Sequence, residues 1–167
     1  MNILYCGDEH IEDGLVISIL SLLKNTKEQL NIYVLTMEIE NENKKFKAIS
    51  SASIDYLDRR VKETNDKNFV KKLDITDLFK KELPVKNMGT RFTPYCMLRL
   101  FADILPELPD KILYLDTDVV CRKDCTDFYN QDISEYELVR SIGSLWKMVL
   151  QEEYFKIWLY KFWSSLT

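Results

Sequence analysis

An α/β fold, a mostly parallel sheet flanked by helices, is what the sequence predicts. Three observations carry this. Short apolar runs alternate with longer stretches of helical spacing. The runs are apolar on consecutive residues, as strands buried on both faces are. The chain has 167 residues, 46% apolar and 12% aromatic, which suits one packed domain and excludes wholesale disorder.

Asn2–Cys6 is a short apolar run ending at Gly7-Asp8, a buried strand and its turn. Leu15, Ile19, Leu22 and Leu23 then recur at helical spacing, and the helix ends near Lys24 and Asn25. Asn31–Thr36 reads as a second strand. Glu42 to about Asn65 is charged, with Phe46, Ile49, Ile54 and Leu57 along it, and reads as one helix. Phe69–Asp74 is a weaker third strand. Thr93-Pro94 supplies an N-cap with proline at the first helical position, opening a helix through Leu98, Phe101 and Leu105 that Pro106 and Pro109 stop. Lys111–Leu115 reads as a central strand, and Asp116-Thr117-Asp118 comes directly after it.

Composition narrows the function. Lys plus Arg is 23 and Asp plus Glu is 27, a net charge of −4, which argues against a nucleic-acid partner. Gly7, Gly14, Gly89 and Gly143 stand too far apart for a glycine-rich phosphate loop. A bound nucleotide would need its phosphates neutralised some other way. Acidic residues arrive at Asp8 and Glu9 with no basic stretch before them, so the start does not read as a secretory signal and a cytoplasmic location is expected. Cys6, Cys96, Cys121 and Cys125 sit among apolar residues and read as structural thiols rather than a zinc site.

The chemistry concentrates in Leu113–Val120. Residues two apart on an extended segment point to one side, so Asp116 and Asp118 can present both carboxylates together. Paired hard oxygen donors suit Mn²⁺ or Mg²⁺. The carboxyl end of a strand is also where open α/β sheets hold ligands. Asp8 comes just after the first strand, and in a parallel sheet it would reach the same edge. His10, the single histidine, lies two residues on; a loop histidine of this kind is as readily just solvated.

These segments carry a resemblance. Met1–His10, Tyr95–Leu100 and Ile112–Val119, in that order, resemble glycosyltransferase family 8, which includes bacterial lipopolysaccharide galactosyltransferases and glycogenin. The resemblance implies a GT-A fold of the Rossmann-like, mostly parallel kind, retaining transfer of a hexose from a UDP-sugar, Mn²⁺ (or Mg²⁺) as cofactor, and a glycan or lipid-linked acceptor. It further implies donor binding by Gly7, Asp8 (near the uracil), His10 (near the ribose), Arg99, Asp116, Thr117 and Asp118. Asp116 and Asp118 would hold the metal. No catalytic nucleophile is assigned. The family's late histidine and lysine, which complete its metal and diphosphate site, have no counterpart, so the chain resembles the donor half of such an enzyme without the usual C-terminal half. A nucleotide-sugar-binding remnant without catalysis therefore stays an alternative. An apolar run before D-x-D also resembles the phosphatases of the haloacid dehalogenase type, although their downstream residues are missing.

Residues 1–140 thus read as the donor-binding core and residues 141–167 as a helical tail. In the tail Leu145, Met148, Val149, Phe155, Trp158, Leu159, Phe162 and Leu166 fall near one stripe. A helix capping the sheet is the plainer expectation. With Lys147, Lys156 and Lys161 beside the aromatics, the other is peripheral contact with the inner face of a membrane or with a partner.

Overall fold

Two parallel crossovers build the core, and a third element returns the chain to the opposite side of the first strand. A computed structural model of the chain describes residues 1–41, 44–82 and 94–132. The chain divides into two compact units, Met1–Leu83 with Arg91–Asn130 and Pro84–Thr90 with Gln131–Thr167. The described residues belong to the first, apart from Gln131 and Asp132. The expected boundary at residue 140 and the tail stripe from Leu145 to Leu166 lie outside them. No helix among the described residues is long and apolar enough to cross a membrane.

Strand β1 (Asn2–Cys6) leads through a 3₁₀ turn (Glu9–Ile11) into α1 (Glu12–Asn25) and then β2 (Asn31–Thr36). A hairpin of β3 (Ile39–Asn41) and β4 (Lys44–Phe46) precedes α2 (Ser51–Thr64), β5 (Phe69–Asp74) and α3 (Thr76–Lys81). A 3₁₀ helix (Pro94–Ile104), β6 (Leu113–Tyr114) and α4 (Thr126–Tyr129) come next. The sheet order is β5-β2-β1-β6, parallel at every pairing. Ile3, Tyr5, Ile32 and Val34 are buried in it, and Leu15, Ile19 and Leu22 of α1 with Ile54, Leu57 and Val61 of α2 join the same core cluster. Burial on both faces is why these strands read as unbroken apolar runs.

Three elements differ from the sequence reading. The segment from Glu42 to Asn65 is not one helix. Within it Lys44–Phe46 pairs back as a hairpin strand, with Glu40 opposite Lys45 and an ion pair between them at 3.8 Å. Helix α2 begins only after Ser50, whose Oγ accepts from the Ser53 N–H at 3.0 Å. The helix after Pro94 is 3₁₀ rather than α, and Thr93 lies outside the described residues. Tyr95, Leu98 and Phe101 are all buried, and this strict three-residue spacing makes one row on a helix of three residues per turn. Finally, β6 is not central. It pairs over only two residues and stands at the edge of the described sheet. Side chains take the backbone bonds at its start: the Lys111 carbonyl accepts from Asn2 Nδ2 at 3.0 Å and from the Tyr129 hydroxyl at 3.3 Å.

Candidate functional site

The chain runs outward from β1 to β2 and β5, then comes back to place β6 on the other side of β1. The two strands therefore leave their carboxyl ends side by side where the strand order reverses, and in open α/β sheets that crevice is the ligand site. Leu4 pairs with Tyr114, so Cys6 and Asp116 each stand two residues beyond one register pair. The Leu115 N–H donates to the Leu4 carbonyl at 3.0 Å and closes the ladder. Strand β1 gives way to Gly7-Asp8, and β6 gives way, after Leu115, to Asp116-Thr117-Asp118.

The first loop is firmly tied. The Gly7 N–H donates to the Leu35 carbonyl at 3.1 Å, carrying the chain one step past β1. Asp8 Oδ1 accepts from the His10 N–H at 3.0 Å and caps the 3₁₀ turn. The Glu9 N–H donates to the Lys47 carbonyl at 3.1 Å, and the Tyr95 hydroxyl lies 3.2 Å from both that carbonyl and the Met37 carbonyl. Burial, and after it the negative charge of Asp8 and Glu9, pushes the Tyr95 hydroxyl up, so it stays a donor. His10 is exposed.

The second loop rests on α1. The Val119 N–H donates to the Asp116 carbonyl at 3.0 Å, making a tight turn around Thr117 and Asp118. The burial pattern along 116–118 leaves all three residues with surface in contact with solvent. Gly14 faces this turn: a Cβ there would sit 2.7 Å from the Thr117 carbonyl oxygen. Further on, the Cys121 N–H donates to Ser21 Oγ at 2.9 Å and the Cys121 carbonyl accepts from Asn25 Nδ2 at 2.8 Å. Cys121 and Cys125 pack against the core cluster, and burial together with Cys121 raises the Cys125 thiol to about 11. That is the behaviour of a structural thiol.

Arg99 enters from the 3₁₀ helix, its guanidinium 4.8 Å from the centre of the Tyr114 ring. The Tyr114 hydroxyl donates to Asp116 Oδ1. Burial, then the hydrogen bond to Asp116, pushes this hydroxyl well up against the opposing effect of Arg99. Asp8 therefore follows β1, and Asp116, Thr117 and Asp118 follow the neighbouring β6, with Arg99 stacked on Tyr114; His10 is exposed two residues beyond Asp8. Sequence reasoning missed Tyr114, Gly14 and Tyr95. The first was within reach, because Tyr114 stands only two residues before Asp116 in the sequence.

Can the edge hold a divalent cation? Among the described residues no group of three or more His, Cys, Asp and Glu comes together. Asp116 and Asp118 offer two carboxylates of hard oxygen donors, which suit Mn²⁺ or Mg²⁺ provided a bound ligand's own oxygens complete the shell. Asp8 adds a third negative charge to the same edge. An anionic diphosphate would be repelled there unless a cation lay between. By chemical type the two carboxylates suit such an ion, although the tight turn at 116–119 replaces the extended segment that the sequence predicts for them.

A family model of glycosyl transferase family 8 matches residues 2–160, and the chain belongs to that family. A Haemophilus influenzae protein bearing the name of a glycosyltransferase is 29% identical over 140 residues, 83% of this chain and 38% of its own length. The crystal structure of the galactosyltransferase LgtC in complex with donor and acceptor sugar analogs matches with a TM-score of 0.60 at 19% identity, over 80% of this chain and 43% of LgtC. An active-site mutant of LgtC matches equally, with a TM-score of 0.60 at 19% identity over 81% of this chain and 44% of that one. The mostly parallel, helix-flanked sheet is therefore that of the GT-A fold. The chain spans about two fifths of the length of the proteins it matches. Family membership leaves no ground for the phosphatase reading of the same D-x-D run.

Proposed function

We propose that this chain binds a UDP-hexose donor at the carboxyl edge of β1 and β6 and serves retaining transfer of the hexose to a glycan or lipopolysaccharide-type acceptor. The observation that supports the reading is that β1 and β6 are parallel neighbours where the strand order reverses, so the loop carrying Asp8 and the turn carrying Asp116 and Asp118 leave adjacent carboxyl ends. A chain with no glycine-rich phosphate loop then has a charge-based means of holding a diphosphate. Asp116 and Asp118 would hold Mn²⁺ or Mg²⁺. When bound, the ion supplies Lewis-acid stabilisation of the departing diphosphate.

The chain's own residues do the rest. Asp8 already spends Oδ1 on its cap, and a carboxylate has capacity for a further donor such as the uracil N3–H. Arg99 brings a fixed positive charge to the edge, where it can meet a phosphate oxygen. Gly7 and Thr117 would line the donor with their loop backbones, and His10 would serve the ribose. The acceptor's hydroxyl would attack on the face the leaving group departs from.

UDP release from UDP-hexose, measured with and without Mn²⁺, tests the reading without knowledge of the acceptor, because water can replace it. Slow, Mn²⁺-dependent release is expected. The lack of a third metal-binding side chain among the described residues favours one second reading, a nucleotide-sugar binder that does not catalyse. Tight UDP-hexose binding with no release would select it. Neither binding nor release would overturn both.

A further inference from the structure

Tyr114 lies at the crossing of two contacts that the site does not otherwise explain. Its ring sits under the Arg99 guanidinium at 4.8 Å, and its hydroxyl reaches Asp116 Oδ1. Its backbone is fixed by pairing with Leu4 in the sheet. Asp116 itself stands on the turn beyond the last ladder bond, open to solvent. A carboxylate so placed can rotate among several orientations, and only some direct an oxygen at a cation shared with Asp118.

We infer that Tyr114 is a positioning residue for metal binding: its hydroxyl, aimed by the Arg99 guanidinium on its ring, orients the Asp116 carboxylate. The inference rests on the metal reading above and deepens it. An ionised carboxylate only accepts hydrogen bonds, so the tyrosine is the donor. With Oδ1 held by this bond, the other oxygen is presented to the cation in one orientation. Hydrogen-bond partners behind a metal-binding carboxylate typically change metal affinity about 10–100-fold when removed. The bond joins the last residue of β6 to the turn two residues on, so it is local in the chain. Arg99 thereby gains a second task, because a cation over the ring face restrains the ring's tilt.

The test is Mn²⁺ affinity in the presence of saturating UDP, read from the electron paramagnetic resonance signal of free Mn²⁺. Tyr114→Phe keeps the ring and the stacking but removes the donor. It should weaken Mn²⁺ binding about 10-fold and leave the melting temperature of the metal-free protein unchanged. Tyr114→4-aminophenylalanine restores a donor at the same place and should recover most of the loss. In the background of Asp116→Asn, adding Tyr114→Phe should cost nothing more, since the two act as one unit. Unchanged Mn²⁺ affinity in Tyr114→Phe would overturn the inference, as would a loss that persists in full on the Asp116→Asn background. Should Tyr114→Phe fail to fold, the 4-aminophenylalanine variant alone decides: near-native Mn²⁺ affinity supports the inference, and a 10-fold loss opposes it. If the wild-type protein binds no Mn²⁺ at all, the metal reading falls instead.

Discussion

Gly14→Ala probes the joint between helix α1 and the Asp116–Asp118 turn. A Cβ at this position would lie 2.7 Å from the Thr117 carbonyl oxygen and 3.3 Å from its carbonyl carbon, where ordinary contact begins near 3.4 Å. The obstacle is backbone, so no rotamer change relieves it, and helix or turn must give by about 0.7 Å. Overpacking of this kind costs about 1–3 kcal/mol. The gain in helix propensity, up to about 1 kcal/mol in a helix interior, opposes it; Gly14 is only the third residue of α1, so the gain is smaller. A net loss of about 1 kcal/mol is expected, a fall in melting temperature of roughly 2–4 °C for a chain of this size. Displacing Thr117 also displaces the carboxylates on either side. Preorganised sites tolerate about 0.5 Å, so Mn²⁺-dependent UDP affinity should fall about 10-fold. Thermal melts and calorimetric titration with UDP read the two effects separately. A variant that melts at or above the wild-type temperature and binds UDP equally well would refute the close approach of α1 to the turn.

Three further perturbations separate structural from functional roles. Asp8→Asn keeps a capping oxygen and should melt normally while shifting preference from UDP toward CDP, whereas Asp8→Ala should also lose about 1 kcal/mol of stability; an unchanged UDP-to-CDP affinity ratio in both would make Asp8 a cap alone. Burial would raise Asp58, but hydrogen bonds from Lys62 Nζ at 2.6 Å and the Val70 N–H at 2.9 Å outweigh it and hold the carboxyl below its ordinary value. Its contribution is therefore present above about pH 4 and lost as pH falls through the lower folded value, so Asp58→Ala should be less stable than wild type by about 1 kcal/mol at pH 7 and converge with it in acid. The buried Tyr5 hydroxyl and Ser18 Oγ are 2.7 Å apart; Tyr5→Phe or Ser18→Ala alone should each cost about 1–3 kcal/mol in denaturant unfolding, and the double variant less than their sum.

The sheet was legible because its physics is local to each strand. Asn2–Cys6 and Asn31–Thr36 carry apolar runs that suit a strand buried on both faces, the edge strand Phe69–Asp74 mixes buried and exposed positions, and the observed bounds coincide with the expected ones. The β3–β4 hairpin was not legible, since two three-residue strands held by Glu40 and Lys45 look like any charged surface stretch. Nor was the 3₁₀ character of Pro94–Ile104, because apolar positions three apart fit an α-helix nearly as well. Ahead of β6 the side chains of Asn2 and Tyr129 take the place of ladder bonds at Lys111, from 109 and 18 positions away along the chain. At the site, the placement of Asp8 and Asp116 on one edge is a consequence of parallel pairing and could be read from strand order. The closeness of Gly14 to Thr117 is a long-range tertiary contact and left no mark in the local sequence.

If Asp116 and Asp118 hold a divalent cation under a UDP diphosphate, calorimetric titration of the wild-type chain, Asp116→Asn and Asp118→Asn with UDP will show it. In Mn²⁺ the wild type should bind UDP and each variant should lose about 2–3 kcal/mol, roughly 30–150-fold. In chelator all three should bind equally weakly. Equal UDP affinity for the three proteins in Mn²⁺, or wild-type binding that chelator leaves untouched, would contradict the account.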